Sequence, residues 1–352
     1  MNNEVANIET TNVPVEEKKK GTKFLIIRFS SIGDIVFTTP VVRCLKQQVP
    51  HAEVHYLTKF SFHKVIAGNP YVDKFYYLNN DWDLLMHELK QENYDYIIDL
   101  HHNLRTLRIK RALKVKAFSL NKLNVQKFLL TNFKINLMPD VHIVDRNLDT
   151  VKSFGVKNDG NGMDYFIPKD EEIKQGDLPH SHSLGFVAIV IGAAHFTKRL
   201  PVEKLQKLCA SLHHPIVLLG GPDDKEAGDA IAAIDPVKIY NASGKFSINE
   251  SADIVRKSKL VIAHDTGLMH IAAALKKPVI AVWGNTMPLL GVAPYYGNAP
   301  VLTAKFEVAK LSCRPCSKIG RDKCPKGHFK CMMLQDVEAI AATAQAWAKE
   351  LR

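Results

Sequence analysis

Residues 23–40 read KFLIIRFSSIGDIVFTTP, and this stretch decides the fold. Lys23–Phe29 is a short apolar run, as expected of a strand buried on both faces. It enters a Ser-Ser-Ile-Gly-Asp turn at 30–34, from which a helix is expected to run to about Gln48. A buried strand that turns directly into a helix opens a parallel α/β unit. Further strands are expected at 53–58, 74–78, 96–100 and 116–120, with helices between several of them, for example at 81–93. Residues 168–183 are polar, with Gly176, two prolines and a His/Ser cluster, and read as a linker. The pattern then restarts. Strands are expected at 185–191, 215–219, 238–241, 260–263 and 279–283. Pro201 should open a helix at its first position, and further helices should span 247–257, 266–275 and about 335–349. The expected class is therefore α/β. A disordered tail at 1–22 precedes one parallel-sheet domain at 23–167. A linker at 168–184 leads to a second such domain at 185–334, and a helix closes the chain at 335–352. Ligands of open parallel sheets sit at the carboxyl ends of the strands. The cleft between two such domains is thus the expected site.

Composition narrows the class. Of 352 residues, 46% are apolar and 24% charged, which excludes collagen, coiled coil and global disorder. No run of about 18 apolar residues is present to span a bilayer. Residues 1–20 carry Glu4, Glu9, Glu16 and Glu17 and lack the apolar centre of a signal peptide. A reducing cytoplasm is expected, where six cysteines make no disulfide scaffold. The net charge of +11 is concentrated. Residues 101–139 hold nine Lys and Arg and no Asp or Glu, and residues 305–330 hold eight basic and two acidic residues. Charge so localised points either to an anionic partner or to a solvated basic face.

No dinucleotide fingerprint, Walker A loop, zinc-protease motif or nucleophile elbow is present. Four strand exits carry chemistry instead. In the first, Ser31 and Gly33 lead to Asp34 at a helix start, where the dipole keeps a carboxylate ionised. Asp34 can be a base for an attacking hydroxyl or a helix cap. In the second, His264-Asp265 ends a strand and Thr266-Gly267 starts a helix whose N–H groups can hold a diphosphate. His270 lies one turn further on the same face. The alternative there is an ordinary capped turn. In the third, Lys198 precedes the Pro201 helix and can reach a phosphate. In the fourth, GGPDDKE at 220–226 offers carboxylates to ribose hydroxyls. Separately, Cys313, Cys316, Cys324 and Cys331, with His328 among them, resemble a zinc ligand set of unusual spacing. The rival reading is a reduced, metal-free loop.

These segments together resemble glycosyltransferase family 9, the lipopolysaccharide heptosyltransferases. The likeness rests on the SSIGD turn, TKFSFHKVIAGNPYVDKFYYL, YDYIIDLHHNLR, GGPDDKE, HDTGLMHIAAAL, VWGNT and the CRPC…CPKGHFKCM segment, and runs from about Lys23 to Val337. It implies a GT-B fold, two Rossmann-like domains facing a cleft, with the acceptor in the first and the nucleotide sugar in the second. It implies an inverting, metal-independent transfer from ADP-heptose to the lipopolysaccharide core, with no cofactor. By the same resemblance Asp34 is the base. Lys198, Glu226, Asp265, Thr266, Gly267 and His270 form the donor site. Ser31, Gly33, Arg105, Arg108 and Arg111 lie on the acceptor side. The basic stretch 101–139 would meet an anionic, lipid-linked saccharide at the inner-membrane surface, with no nucleic-acid partner. Three other readings remain: a sugar-nucleotide epimerase of the same fold, a nucleic-acid-binding protein with a zinc knuckle, and an inert membrane-bound scaffold.

Overall fold

The computed structural model describes residues 21–351, so the tail expected at 1–22 falls almost wholly outside the described residues. The first half contains five strands: β1 (Lys23–Ile27), β2 (Glu53–Lys59), β3 (Lys74–Leu78), β4 (Tyr96–Asp99) and β5 (Lys116–Ser119). They pair in the order β3-β2-β1-β4-β5, all parallel. Its helices are α1 (Ile32–Val36), α2 (Thr39–Gln48), α3 (Trp82–Gln91), α4 (Leu104–Leu113), α5 (Asn124–Phe133) and α6 (Ile143–Leu148). The second half contains β6 (Val187–Val190), β7 (Ile216–Leu219), β8 (Ile239–Asn241), β9 (Leu260–His264), β10 (Val279–Trp283) and β11 (Thr303–Glu307). Their order is β11-β10-β9-β6-β7-β8, again all parallel. Its helices are α7 (Val202–Ser211), α8 (Lys225–Ala232), α9 (Ile248–Lys257), α10 (Gly267–Ala274), α11 (Lys330–Met333) and α12 (Val337–Glu350).

Both sheets reverse direction at their first strand, between β1 and β4 and between β6 and β9. A crevice opens at such a switch point. β1, β6, β9 and β10 are buried along almost their whole length, which is why they read as unbroken apolar runs.

Several expected boundaries change. The helix expected to reach Gln48 is two helices, broken at Phe37–Thr38, with Pro40 in the first turn of α2, where a missing N–H costs nothing. Pro201 caps α7 and precedes its first residue. Helices α5 and α6 and the edge strand β11 were not expected. The residues of β11 are exposed or half-buried, so its sequence lacks the apolar run of a central strand.

A strap at 155–167 lies between the halves and is held from both. Buried Arg43 of α2 donates to Asp159 at 2.7 and 2.9 Å, to the Gly162 carbonyl at 2.8 Å, and to Asp164. From the other half, Lys276 Nζ donates to the Asn161 carbonyl at 2.6 Å, and Tyr165 donates its hydroxyl to Asn249 of α9 at 2.5 Å. One contiguous apolar core runs from Phe24 and Val36 through Tyr165 to Val190 and Met269.

Candidate active site

Asp34 occupies the third position of α1. Its Oδ2 accepts from the Ser31 N–H at 3.2 Å and the Ser31 hydroxyl at 2.9 Å, and pairs with Arg28 Nη2 at 2.8 Å. Asp34 is therefore a helix cap, but through one oxygen. Among the described residues every recorded contact falls on Oδ2, and the side chain is 38% exposed. Oδ1 is left for another partner. Burial opposes the charge, yet the Arg28 guanidinium and the Ser31 hydrogen bonds outweigh it and hold the carboxyl below its ordinary value. Arg28 is itself fixed by the Ser30 and Leu100 carbonyls, at 2.7 and 2.5 Å. It went unremarked in the sequence. The available signal was a lone cation closing an apolar run, which demands a partner when buried.

Across the crevice, Asp265 leaves β9 and Thr266 caps α10, its hydroxyl accepting from the Leu268 N–H at 3.3 Å. Asp265 Oδ2 binds Lys198 Nζ at 2.7 Å and the Thr286 hydroxyl at 2.9 Å. Lys198 also donates to the Asp265 carbonyl at 3.2 Å. The pair holds an ammonium at the positive end of α10. His270 is 4% exposed, with Nε2 at 3.9 Å from Asp265 Oδ1 and Nδ1 buried without a partner. Burial pulls its ring down to about 4 against the carboxylates of Asp265 and Asp34, so it is neutral near pH 7.

The two helix starts meet. A Cβ on Gly33 would lie 2.3 Å from His270 Cδ2, and one on Gly267 would lie 2.7 Å from Ile32 Cβ. What approaches both glycines is the opposite half of the protein. Phe37 backs the His270 ring, centroid to centroid 4.3 Å.

The other expected residues are more dispersed. Glu226 stands exposed in the first turn of α8. Beside it, Asp224 of the same GGPDDKE motif is 7% exposed. Asp224 pairs with Arg199 at 3.0 Å and accepts from the Gly221 N–H at 2.8 Å. Arg105 and Arg108 line a groove of about 570 Å³ at the exits of β2 and β3, with Lys59, Phe60, Asn79 and Trp82. The Arg108 guanidinium stacks 4.6 Å from the Trp82 ring. Arg111 is exposed and lies outside that groove. Lys110, by contrast, is tied to buried Asp99 at 2.8 Å.

The cysteines are all free thiols. Cys313 Sγ lies 3.9 Å from His328 Nε2, and burial pushes the Cys331 thiol up to about 11. Among the described residues, the ligand atoms gathered within 4.8 Å of one another are those of Glu53, His55 and Glu92, not of the cysteines. Lys23 and Lys74 already bind Glu92 there, at 2.7 and 2.6 Å.

Comparisons with known proteins agree with this architecture. Residues 82–319 match the family model for glycosyltransferase family 9 (heptosyltransferase). That range holds the residues from Lys198 to His270 but not Asp34. Lipopolysaccharide heptosyltransferase 1 of Campylobacter coli is 26% identical over 308 residues, covering 79% of this chain and 86% of its own. Among solved structures, a family 9 glycosyltransferase from Veillonella parvula superposes with a TM-score of 0.74 at 20% identity, over 94% of this chain and 98% of its own. An Escherichia coli heptosyltransferase with ADP gives 0.66 at 19% identity, over 93% and 100%. The two parallel-sheet halves are thus the GT-B arrangement of these enzymes. With the family matched over most of its length and the same fold in its neighbours, the chain belongs to glycosyltransferase family 9.

Proposed function

We propose that the protein is an inverting heptosyltransferase that moves a heptose from ADP-heptose to the inner core of lipopolysaccharide, at the cytoplasmic face of the membrane. The observation that carries this is the pairing across the crevice. The uncommitted Oδ1 of Asp34 stands on one side, and the N-terminus of α10 with Thr266 and Lys198 stands on the other. In this reading Oδ1 takes the proton of the acceptor hydroxyl. The freed oxygen attacks the anomeric carbon, and the bond from that carbon to the diphosphate oxygen breaks from the opposite face. ADP leaves with the electron pair, and one displacement inverts the configuration. A depressed carboxyl is a weak base. It suffices because the hydroxyl becomes acidic only as the new bond forms.

The charge on departing ADP is taken by the α10 N–H groups, the Thr266 hydroxyl and the Lys198 ammonium, aimed before the reaction starts. No divalent ion enters this scheme. Glu226 accepts from the ribose hydroxyls, and neutral His270 belongs to the donor side. Arg105, Arg108 and Arg111 meet the acid groups of the acceptor. The names of the relatives support the choice of heptose, ADP and lipopolysaccharide. Calorimetry with ADP, UDP, GDP and CMP in EDTA tests the donor: ADP should bind tightest and transfer should persist. Equal binding of UDP, or a requirement for Mg²⁺, would overturn the reading.

A further inference from the structure

Helix α5 and the segment after it place five large apolar side chains in the open. Val125 is 68% exposed, Phe128 57%, Phe133 62%, Ile135 49% and Leu137 59%. Val125 and Phe128 lie one turn apart on the outward face of the helix, while Leu130 is buried on its inner side. Phe128 and Phe133 pack edge to face at 5.8 Å without burying each other. Isolated exposed apolar residues are ordinary, but five within thirteen positions mark an interaction surface.

The charge of the segment that carries it selects the partner. This surface lies inside residues 101–139, which hold nine basic residues and no acidic one. A second copy of the chain would bring like charge onto like charge. An anionic lipid surface accepts both the aromatic side chains and the lysines. The surface is also tied to the second half of the molecule. Lys134, which caps α5, donates to the Pro315 carbonyl at 2.8 Å and so ties this corner to the cysteine loop, where Ile319 is 56% exposed.

We infer that α5 with residues 134–137 is a membrane-insertion surface, sinking Phe128, Phe133 and Leu137 into an anionic leaflet. A lipid-linked acceptor then enters the crevice sideways from the leaflet. That last step rests on the function proposed above; the insertion itself does not.

The test is partition of the full chain onto vesicles of phosphatidylglycerol mixed with phosphatidylcholine, and of phosphatidylcholine alone. The native protein should bind the mixed vesicles, more weakly as salt is raised. The variant Phe128→Ser/Phe133→Ser/Leu137→Ser should lose at least about tenfold in partition, with its melting temperature kept, because all three side chains are exposed. It should also keep its turnover on a soluble, delipidated acceptor. Equal partition by the variant overturns the proposal. So does failure of the native protein to bind either vesicle, or a concentration-dependent dimer that the variant disperses. Loss of turnover with vesicle binding intact would instead count against the proposed function.

Discussion

Gly33→Ala places one methyl group between the two halves. The new Cβ would lie 2.3 Å from His270 Cδ2, whereas ordinary contacts begin near 3.4 Å. Something must move by about 1 Å. The imidazole has little room, being 4% exposed and backed by Phe37. The seam must therefore open, at a cost of about 1–3 kcal/mol for one extra methyl group in a packed contact. If the closed seam is the reacting state, kcat/KM should fall about 5- to 150-fold, which is that cost written as a rate. ADP binds one half alone in this scheme, so its affinity by calorimetry should stay within a few-fold. A steady-state assay of ADP release across both substrates reads the first quantity. If Gly33→Ala keeps kcat/KM within about twofold of the native enzyme, the contact between α1 and α10 plays no part in turnover.

Asp34→Asn should lower kcat by about 10²–10⁴ with little change in ADP affinity; stopped-flow turnover above a tenth of the native rate removes it from the role of base. Because Arg28 depresses the Asp34 carboxyl, the acid limb of kcat/KM should lie below the ordinary carboxylate range, and Arg28→Met should move it upward. Replacing Arg105, Arg108 and Arg111 by Glu should raise the acceptor KM and leave the donor KM alone; an unchanged acceptor KM makes them a solvated face. Glu92 is pulled down to about 2 against burial by hydrogen bonds from Lys23, Lys74 and Tyr76. Its stabilisation is therefore complete above its ordinary value and lost as pH falls toward 2. Glu92→Gln should cost about 2–3 kcal/mol in denaturant melts at pH 7 and far less near pH 2; a cost independent of pH refutes the assignment.

The α/β repeat was legible because the central strands of both sheets are buried on two faces and spelled as apolar runs. β3 and β10 fall where expected, to the residue. What hid was whatever depends on contact between distant segments. β11 is a strand because β10 pairs with it, not because Thr303–Glu307 is apolar. Asp34 was legible as a cap or a base, and the structure makes it a cap on one oxygen while leaving the other. Gly33 and Gly267 stood out in sequence, but their packing partners lie more than two hundred residues away along the chain. Arg28 and Asp224 act through pairs that only folding creates.

The strap at 155–167 and the core shared by both halves carry a consequence for how the molecule comes apart. Arg43 cannot release Asp159 and Asp164 without baring a buried guanidinium, and Tyr165 and Lys276 hold the same segment from the other side. Neither half can therefore melt while the other persists. Scanning calorimetry should show one endotherm, with its van't Hoff and calorimetric enthalpies equal, where a chain of two independent domains would show two. Limited proteolysis would likewise yield no stable half. A nucleotide that binds only the second half would then protect the first from unfolding by the same free energy.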